Sequence, residues 1–510
     1  TQRFAVGQAV VEGPRVEGPN SRILLSFEPG VTVTAKVGIS YVSVEKARAS
    51  LEREIAARSF EEVRDQARIT WNDQLSRVRV HGGTEEHRSL FYTSLYRLYC
   101  MPSDLGVDDE HDAWKSGVRQ FTDFYCLWDS VRNANSLLAL IDPDLERDFC
   151  NALLDIAEHT GWLPDAWIAG NSARIQGGTS AAILIAEAYE KGIEGIDYSK
   201  ALELIRKDAE SLSPAPFLYG RHTEEYARLG YLPATINSCV SKTIEYCYQD
   251  WCVARLAEAL GEKETAERYL QQSRGFWKLW HEEKRAFCPR NEDGSWVEPF
   301  EPEKQDRDYY RLGNIYHYEG TAWEWDLSAL HDMEGLIERH GGPESFEKHL
   351  DRFFDGHLAM WKEIVLHTPY LYHYVGRPDK SSLMARTILF ERYNTTPLGL
   401  PDNEDMGSHS SYVICTSMGL YPVYGQDLYF LTAPVFEEIE IDLKGGATLT
   451  IKAPGASDKN HYIASERLNG QPLDSTWVRH KDIAGGAVIE LTVSDKPSGW
   501  GPLRRPAGAR

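Results

Sequence analysis

The sequence predicts a mainly α protein, a toroid of paired helices of the (α/α) barrel kind with antiparallel β segments at either end. Three observations predict it. Short apolar runs bounded by Gly or Pro occupy the first 42 residues; helical spacing of apolar residues then holds from Ser43 to about Ser417; and a period of two returns near Leu428. With 510 residues, 42% of them hydrophobic, the chain has enough apolar surface for large cores.

The runs Ile23-Leu24-Leu25-Ser26-Phe27 and Val31 to Val37 read as strands. So short a β segment cannot close a core alone, so its sheet is expected to continue in strands that are missing or lie elsewhere. The chain opens at Thr1 without a charged and apolar leader, which is the expectation for a processed or truncated chain. Val44 to Ala57 follows as a helix, with Ser43 at the N-cap and Glu45 in the first turn. Ser180 to Lys191 is apolar nearly all round and stops at Gly192, the pattern of a helix buried among others. Cys239 to Leu260, Gly261, then Glu264 to Trp280 reads as an antiparallel helical pair. Toward the C-terminus, Phe436 to Leu443 and Ala447 to Lys452 alternate, and Asn469-Gly470 marks a hairpin turn in an antiparallel sheet.

The net charge of -22 repels phosphate backbones and anionic surfaces, so nucleic acid and membrane are not expected partners. No run of eighteen apolar residues occurs. Fourteen Trp and 26 Tyr supply rings that can stack on sugar faces, although each can equally be core. The eight cysteines form no CxxC pair and do not decide the compartment.

A Gly-rich phosphate loop, HExxH and GxSxG are all absent, which removes the simplest nucleotide, zinc-protease and serine-hydrolase readings. Carboxylates among aromatics remain. In His317-Tyr318-Glu319-Gly320-Thr321-Ala322-Trp323-Glu324-Trp325 one acid sits among rings, and burial there would keep it protonated as a general acid. Glu319 could instead cap the helix that begins near Thr321. In Gly399-Leu400-Pro401-Asp402-Asn403-Glu404-Asp405-Met406-Gly407 three carboxylates crowd a loop before a helix. Such crowding suits a water-activating base or a hard cation, or it is a solvated acidic cap. Glycoside hydrolysis needs one acid for the leaving oxygen and one base for water, and the two loops could supply them.

Ordered blocks along nearly the whole chain resemble glycoside hydrolase family 92, the calcium-dependent inverting exo-α-mannosidases. They include Gly38-Ile39-Ser40-Tyr41-Val42-Ser43-Val44-Glu45, Phe91-Tyr92-Thr93-Ser94-Leu95-Tyr96-Arg97, Leu127-Trp128-Asp129-Ser130-Val131-Arg132, Gly161-Trp162-Leu163-Pro164, Ser241-Lys242-Thr243 and Gly294-Ser295-Trp296-Val297-Glu298-Pro299-Phe300. Glu319-Gly320, His331-Asp332, Pro369-Tyr370-Leu371-Tyr372, Asn403-Glu404-Asp405 and Gly419-Leu420-Tyr421-Pro422-Val423 continue the series. The resemblance implies the end of an N-terminal β-sandwich over residues 1–42, an (α/α)6 barrel over 43–425 and C-terminal β strands over 426–510. It implies a glycan substrate, a secreted or periplasmic location, and the missing sandwich domain as a partner. Glu319 falls on the general acid, and Asp405 with Glu404 on the base. Trp128, Asp129, Arg132, His331 and Asp332 fall on sugar contacts, to which Trp162, Trp167, Thr179 and Trp323 are added.

Departures from the family pattern are Ala166-Trp167 for a usual Trp-Glu, Gly178-Thr179-Ser180 for Gly-Asp-His, Gly356-His357 for Gly-Gln, and Lys362-Glu363-Ile364 for Asn-Glu-Pro. The candidate calcium ligands are therefore Glu363, Asn403 and His357, and Lys362 beside them points to a metal dependence weaker than or different from the family's. Two rivals follow: the same acid and base on a non-mannose glycoside, and a glycan-binding protein without catalysis.

Overall fold

A computed structural model describes residues 2–6, 9–11, 21–25, 27–107, 114–173, 179–213, 220–304, 315–358 and 361–501. The chain divides into two compact units, Thr1–Thr70 and Trp71–Arg510. In the first, Gln2–Val6 pairs antiparallel with both Ala9–Val11 and Ser21–Leu25. The helix Val44–Glu54 follows, and the Ser43 hydroxyl accepts from Lys46 N as its N-cap. The strand expected over Val31 to Val37 is not one. Val31, Val33 and Val37 are 58%, 45% and 72% exposed, and no described strand pairs with them, so alternation alone has neither a ladder nor a buried face to hold it.

The second unit is mainly helical. Ala181–Glu190 is buried through Ala188, and Lys191 beyond it is buried too, paired with Glu187 at 2.6 Å and donating to Ser136 O at 3.0 Å. Cys239–Ala259 packs against Lys263–Gln272, the expected helical pair. Its second member is shorter than the spacing predicts. The chain tightens into a 3-10 turn over Gly275–Leu279 and then the strand Trp280–His281. Gly275 lies so close to the carbonyl of Gly230 that a Cβ there would collide with it.

The C-terminal sheet has six strands in the order Gln471–Pro472, Tyr462–Leu468, Ala487–Ser494, Thr448–Lys452, Glu438–Asp442, Val78–His81. It is mixed rather than purely antiparallel, because Thr448–Lys452 and Ala487–Ser494 run parallel. Its edge strand comes from far up the chain, with Ile439 opposite Val80. Asn469 and Gly470 both take positive φ in the predicted hairpin turn. A second sheet, Leu420–Val423, Leu428–Leu431 and Trp477–Arg479, begins before the expected onset of strands. All eight cysteines are free thiols. No helix among the described residues is long and apolar enough to cross a membrane.

Candidate active site

The loop ahead of the helix Ala322–Asp326 carries Glu319. Thr321, not Glu319, caps that helix: its hydroxyl accepts from Trp323 N, and Glu324 closes a capping box back to Thr321 N at 2.8 Å. Glu319 is thereby free of the capping role and held in a left-handed conformation with φ 53°. The loop is pinned just before it, at Tyr318, whose N donates to Ser241 Oγ at 2.8 Å and whose O accepts from Trp325 Nε1 at 2.7 Å.

The acidic loop is built in the same manner. It leads into the helix Ser408–Met418, whose first turn donates to Glu404 through Ser410 N at 2.9 Å and Ser410 Oγ at 2.8 Å. Glu404 thus ties down the helix N-terminus. Asp405 and Met406 both take positive φ, 42° and 54°. Met406 Sδ accepts from Cys126 N at 2.9 Å, which fastens this loop to the short helix Leu127–Ser130 bearing Trp128 and Asp129. Three strained non-Gly residues therefore flank or carry the two candidate catalytic acids.

Asp129 joins the two loops. An oxygen of Asp129 lies within 4.8 Å of oxygens of Glu319 and Glu363, and Asp129 also lies within 4.8 Å of Asp405 and Cys126. Asp129, Glu319 and Glu363 are buried. Burial first, then the charges of Glu363 and Asp405 against the pull of Lys362 and Arg132, pushes the Glu319 carboxyl up to about 8. Burial and Glu363 push Asp405 up to about 6, opposed by Lys362 and His409. Asp129 is raised by burial and then by Glu363, Glu319 and Asp405. Arg132, stacked on Trp128 at 4.9 Å, is neutralised by Glu245 at 2.9 Å. This cluster of like charges can hold a proton at one carboxyl and accept one at another.

The family model of the glycosyl hydrolase family 92 catalytic domain matches residues 46–495. The chain belongs to glycosyl hydrolase family 92. It carries a glycoside hydrolase domain, as the ordered sequence blocks imply. A relative from Arthroderma benhamiae, described as an uncharacterized secreted glycosidase, is 30% identical over 504 residues. That match covers 92% of this chain, which spans 61% of the relative's length. Among solved structures, a family 92 α-mannosidase from Bacteroides thetaiotaomicron is 26% identical with TM-score 0.86, covering 99% of this chain and 69% of that one. It has also been solved with mannoimidazole. A family 92 inverting mannosidase from the same organism shares the fold at 24% identity and TM-score 0.86, over 98% of this chain and 72% of that one.

The other predicted residues of the family 92 site have partners of their own. Trp128 and Arg132 adjoin the cluster, with Trp128 edge-on to Tyr318 at 5.9 Å. Thr179 accepts from Arg221 Nε at 3.1 Å and donates to Gln249 Oε1, inside a buried network of its own; Gly178 lies outside the described residues. His331 bonds Ser273 O at 2.9 Å, and Asp332 caps the helix Met333–Arg339 while accepting from Trp277 Nε1 at 2.8 Å. Trp162 lies under Lys207 at 5.2 Å, and Trp167 N donates to Phe124 O at 3.0 Å. Trp323 stacks on His349 and His357, at 4.6 and 3.8 Å.

Of the three metal candidates, Glu363 joins the acids, with Oε1 at 3.0 Å from His409 Nε2. His357 stacks on Trp323, and Asn403 is exposed. Lys362 pairs with Asp402 at 2.6 Å. The donor set still fits a hard cation, because Glu363 Oε2 and Glu319 Oε2 are buried without a hydrogen-bond donor among the described residues, beside Asp129. His409, Cys126 and the Lys362–Asp402 pair were not anticipated. Only the i+6 spacing from Glu404 to Ser410 hints that this helix start is wired into the site.

Proposed function

We propose that this chain is an exo-acting, inverting α-mannosidase whose chemistry runs in an (α/α)6 barrel over residues 43–425. The observation that carries the reading is Asp129, a buried acid within 4.8 Å of both Glu319 and Asp405, each on its own strained loop. Mannose is supported by the α-mannosidase relative and its mannoimidazole complex. The Arthroderma relative's description supports a secreted setting.

In this reading Glu319 gives its proton to the glycosidic oxygen as the bond to the anomeric carbon breaks. Asp405 takes a proton from water as the water oxygen bonds that carbon from the opposite face. The products are an alcohol and a free sugar of inverted configuration, and the two carboxyls have exchanged protonation states. Glu404 positions Asp405 by anchoring its loop to Ser410, and Arg132 keeps Trp128 in place. Asp129 and Glu363 would hold a calcium ion, whose charge when bound offsets theirs and draws sugar oxygens.

A panel of nitrophenyl glycosides tests the sugar: release from the α-mannoside alone is expected, and preference for another glycoside selects the same chemistry on a different sugar. The product's anomeric proton, read by NMR in the first minutes, should be inverted. Binding of oligosaccharide with no release of sugar would overturn the catalytic reading.

A further inference from the structure

Asp326, His340 and His349 form a second convergence of ligand-type side chains, separate in composition from the carboxylate cluster. Asp326 ends the helix Ala322–Asp326, His340 caps Met333–Arg339 at its C-terminus, and His349 lies in Pro343–Arg352. Gly341 and Gly342, with φ 93° and 94°, reverse the chain between the two histidines. Their rings come to 4.2 Å between centroids, and the ligand atoms of all three residues lie within 4.8 Å of one another. Trp323 stacks on His349 and fixes the plane of its ring.

Asp326 Oδ2 lies 3.0 Å from His340 Nε2 and 2.9 Å from His349 Nε2, with the Asp326 and His340 side chains 2% and 3% exposed. At these distances two imidazole N–H groups could satisfy the carboxylate. Both fall on the same oxygen, Oδ2, and Asp326 Oδ1 has no hydrogen-bond partner among the described residues. Two imidazole nitrogens and a carboxylate that crowd one buried point also present three lone pairs that a cation can take up together. All three residues line a cavity of about 580 Å³, so water or a small anion has room as a fourth ligand. Two imidazoles with one carboxylate favour a transition ion over calcium, and three protein ligands with one open position is a zinc arrangement.

We propose that Asp326, His340 and His349 bind zinc, with the open coordination position facing this cavity. The ion fastens the end of the helix that follows the Glu319 loop to the helical pair behind it. The site does not depend on the glycosidase reading, and its readout is metal content.

The full chain, loaded with Zn²⁺ alone, dialysed and assayed by mass spectrometry, should retain one zinc. His349→Ala should lose it, with affinity reduced about tenfold or more, and Glu363→Gln should retain it. Zinc should also raise the melting temperature of the native chain and leave that of His349→Ala unmoved. Should the variant fail to fold, Co²⁺ added to the native chain decides: intense visible bands of a low-coordinate nitrogen-ligated ion are expected. Absence of stoichiometric zinc from the native chain, aquo-like cobalt bands, unchanged zinc in His349→Ala, or its loss in Glu363→Gln would each overturn the proposal.

Discussion

Two buried polar clusters lie in the same helical unit and are built on opposite rules. Around Arg221, charge is matched: Nη1 meets Asp250 at 2.5 Å, Tyr226 OH donates to the other Asp250 oxygen at 2.8 Å, and Thr179 accepts from Nε at 3.1 Å. Around Asp129, charge is mismatched: Glu319, Glu363 and Asp405 crowd one another, and their nearest cations, Arg132 and Lys362, are already paired with Glu245 and Asp402. The first arrangement holds helices together. The second keeps carboxyls in protonation states that water would not allow, which is what an acid and base pair requires. A buried polar group is therefore informative about chemistry when its partners fail to match it.

The contrast is broken most readily at the candidate acid. Glu319→Gln should lower turnover on mannosides with poor leaving groups by about 10²–10⁴-fold, far less on activated aryl glycosides, without lowering the melting temperature. Equal losses on both substrates would remove Glu319 from the acid's role. At the matched cluster the expected effect is on folding. Asp250→Asn leaves the Arg221 charge buried and unpaired, and should destabilise by about 3–5 kcal/mol in urea titrations. A variant as stable as the native chain would show that the pairing holds nothing together.

The smallest expected effect is the sharpest on mechanism. The proposed mechanism requires Asp405 deprotonated and Glu319 protonated, so with no metal bound kcat/KM should rise as pH passes about 6 and fall as it passes about 8. Glu363 raises both groups, and Glu363→Gln should move both limbs of the bell to lower pH, by roughly one unit. Movement of one limb alone would separate Glu363 from one of the two acids.

What could be read in the sequence was mainly local. The Ser43 cap, the buried helix ending at Gly192 and the Asn469-Gly470 turn each depend on residues a few positions apart, and each is present. The two acidic loops were conspicuous for composition. Their convergence was not, because nothing in the spacing from Asp129 to Glu319 or Asp405 encodes proximity. Thr179 read as sugar-facing, and Arg221 and Gln249, far along the chain, bond its hydroxyl. His331 and Asp332 read as sugar contacts, yet a backbone carbonyl and a helix start engage them. Val31 to Val37 had the alternation of a strand without a partner. Val78–His81 had the partner, but its Arg79 meets Glu440 across 361 residues.

That edge strand sets an order of events during synthesis. Val78 and Val80 are 0% and 7% exposed, and the strand covering them pairs Arg79 with Glu440 across 361 residues. At about 5–20 residues per second, a ribosome needs on the order of tens of seconds to deliver that partner. Throughout this interval the nascent chain carries an apolar strand edge with no native place to go, a natural target for a chaperone that binds extended segments.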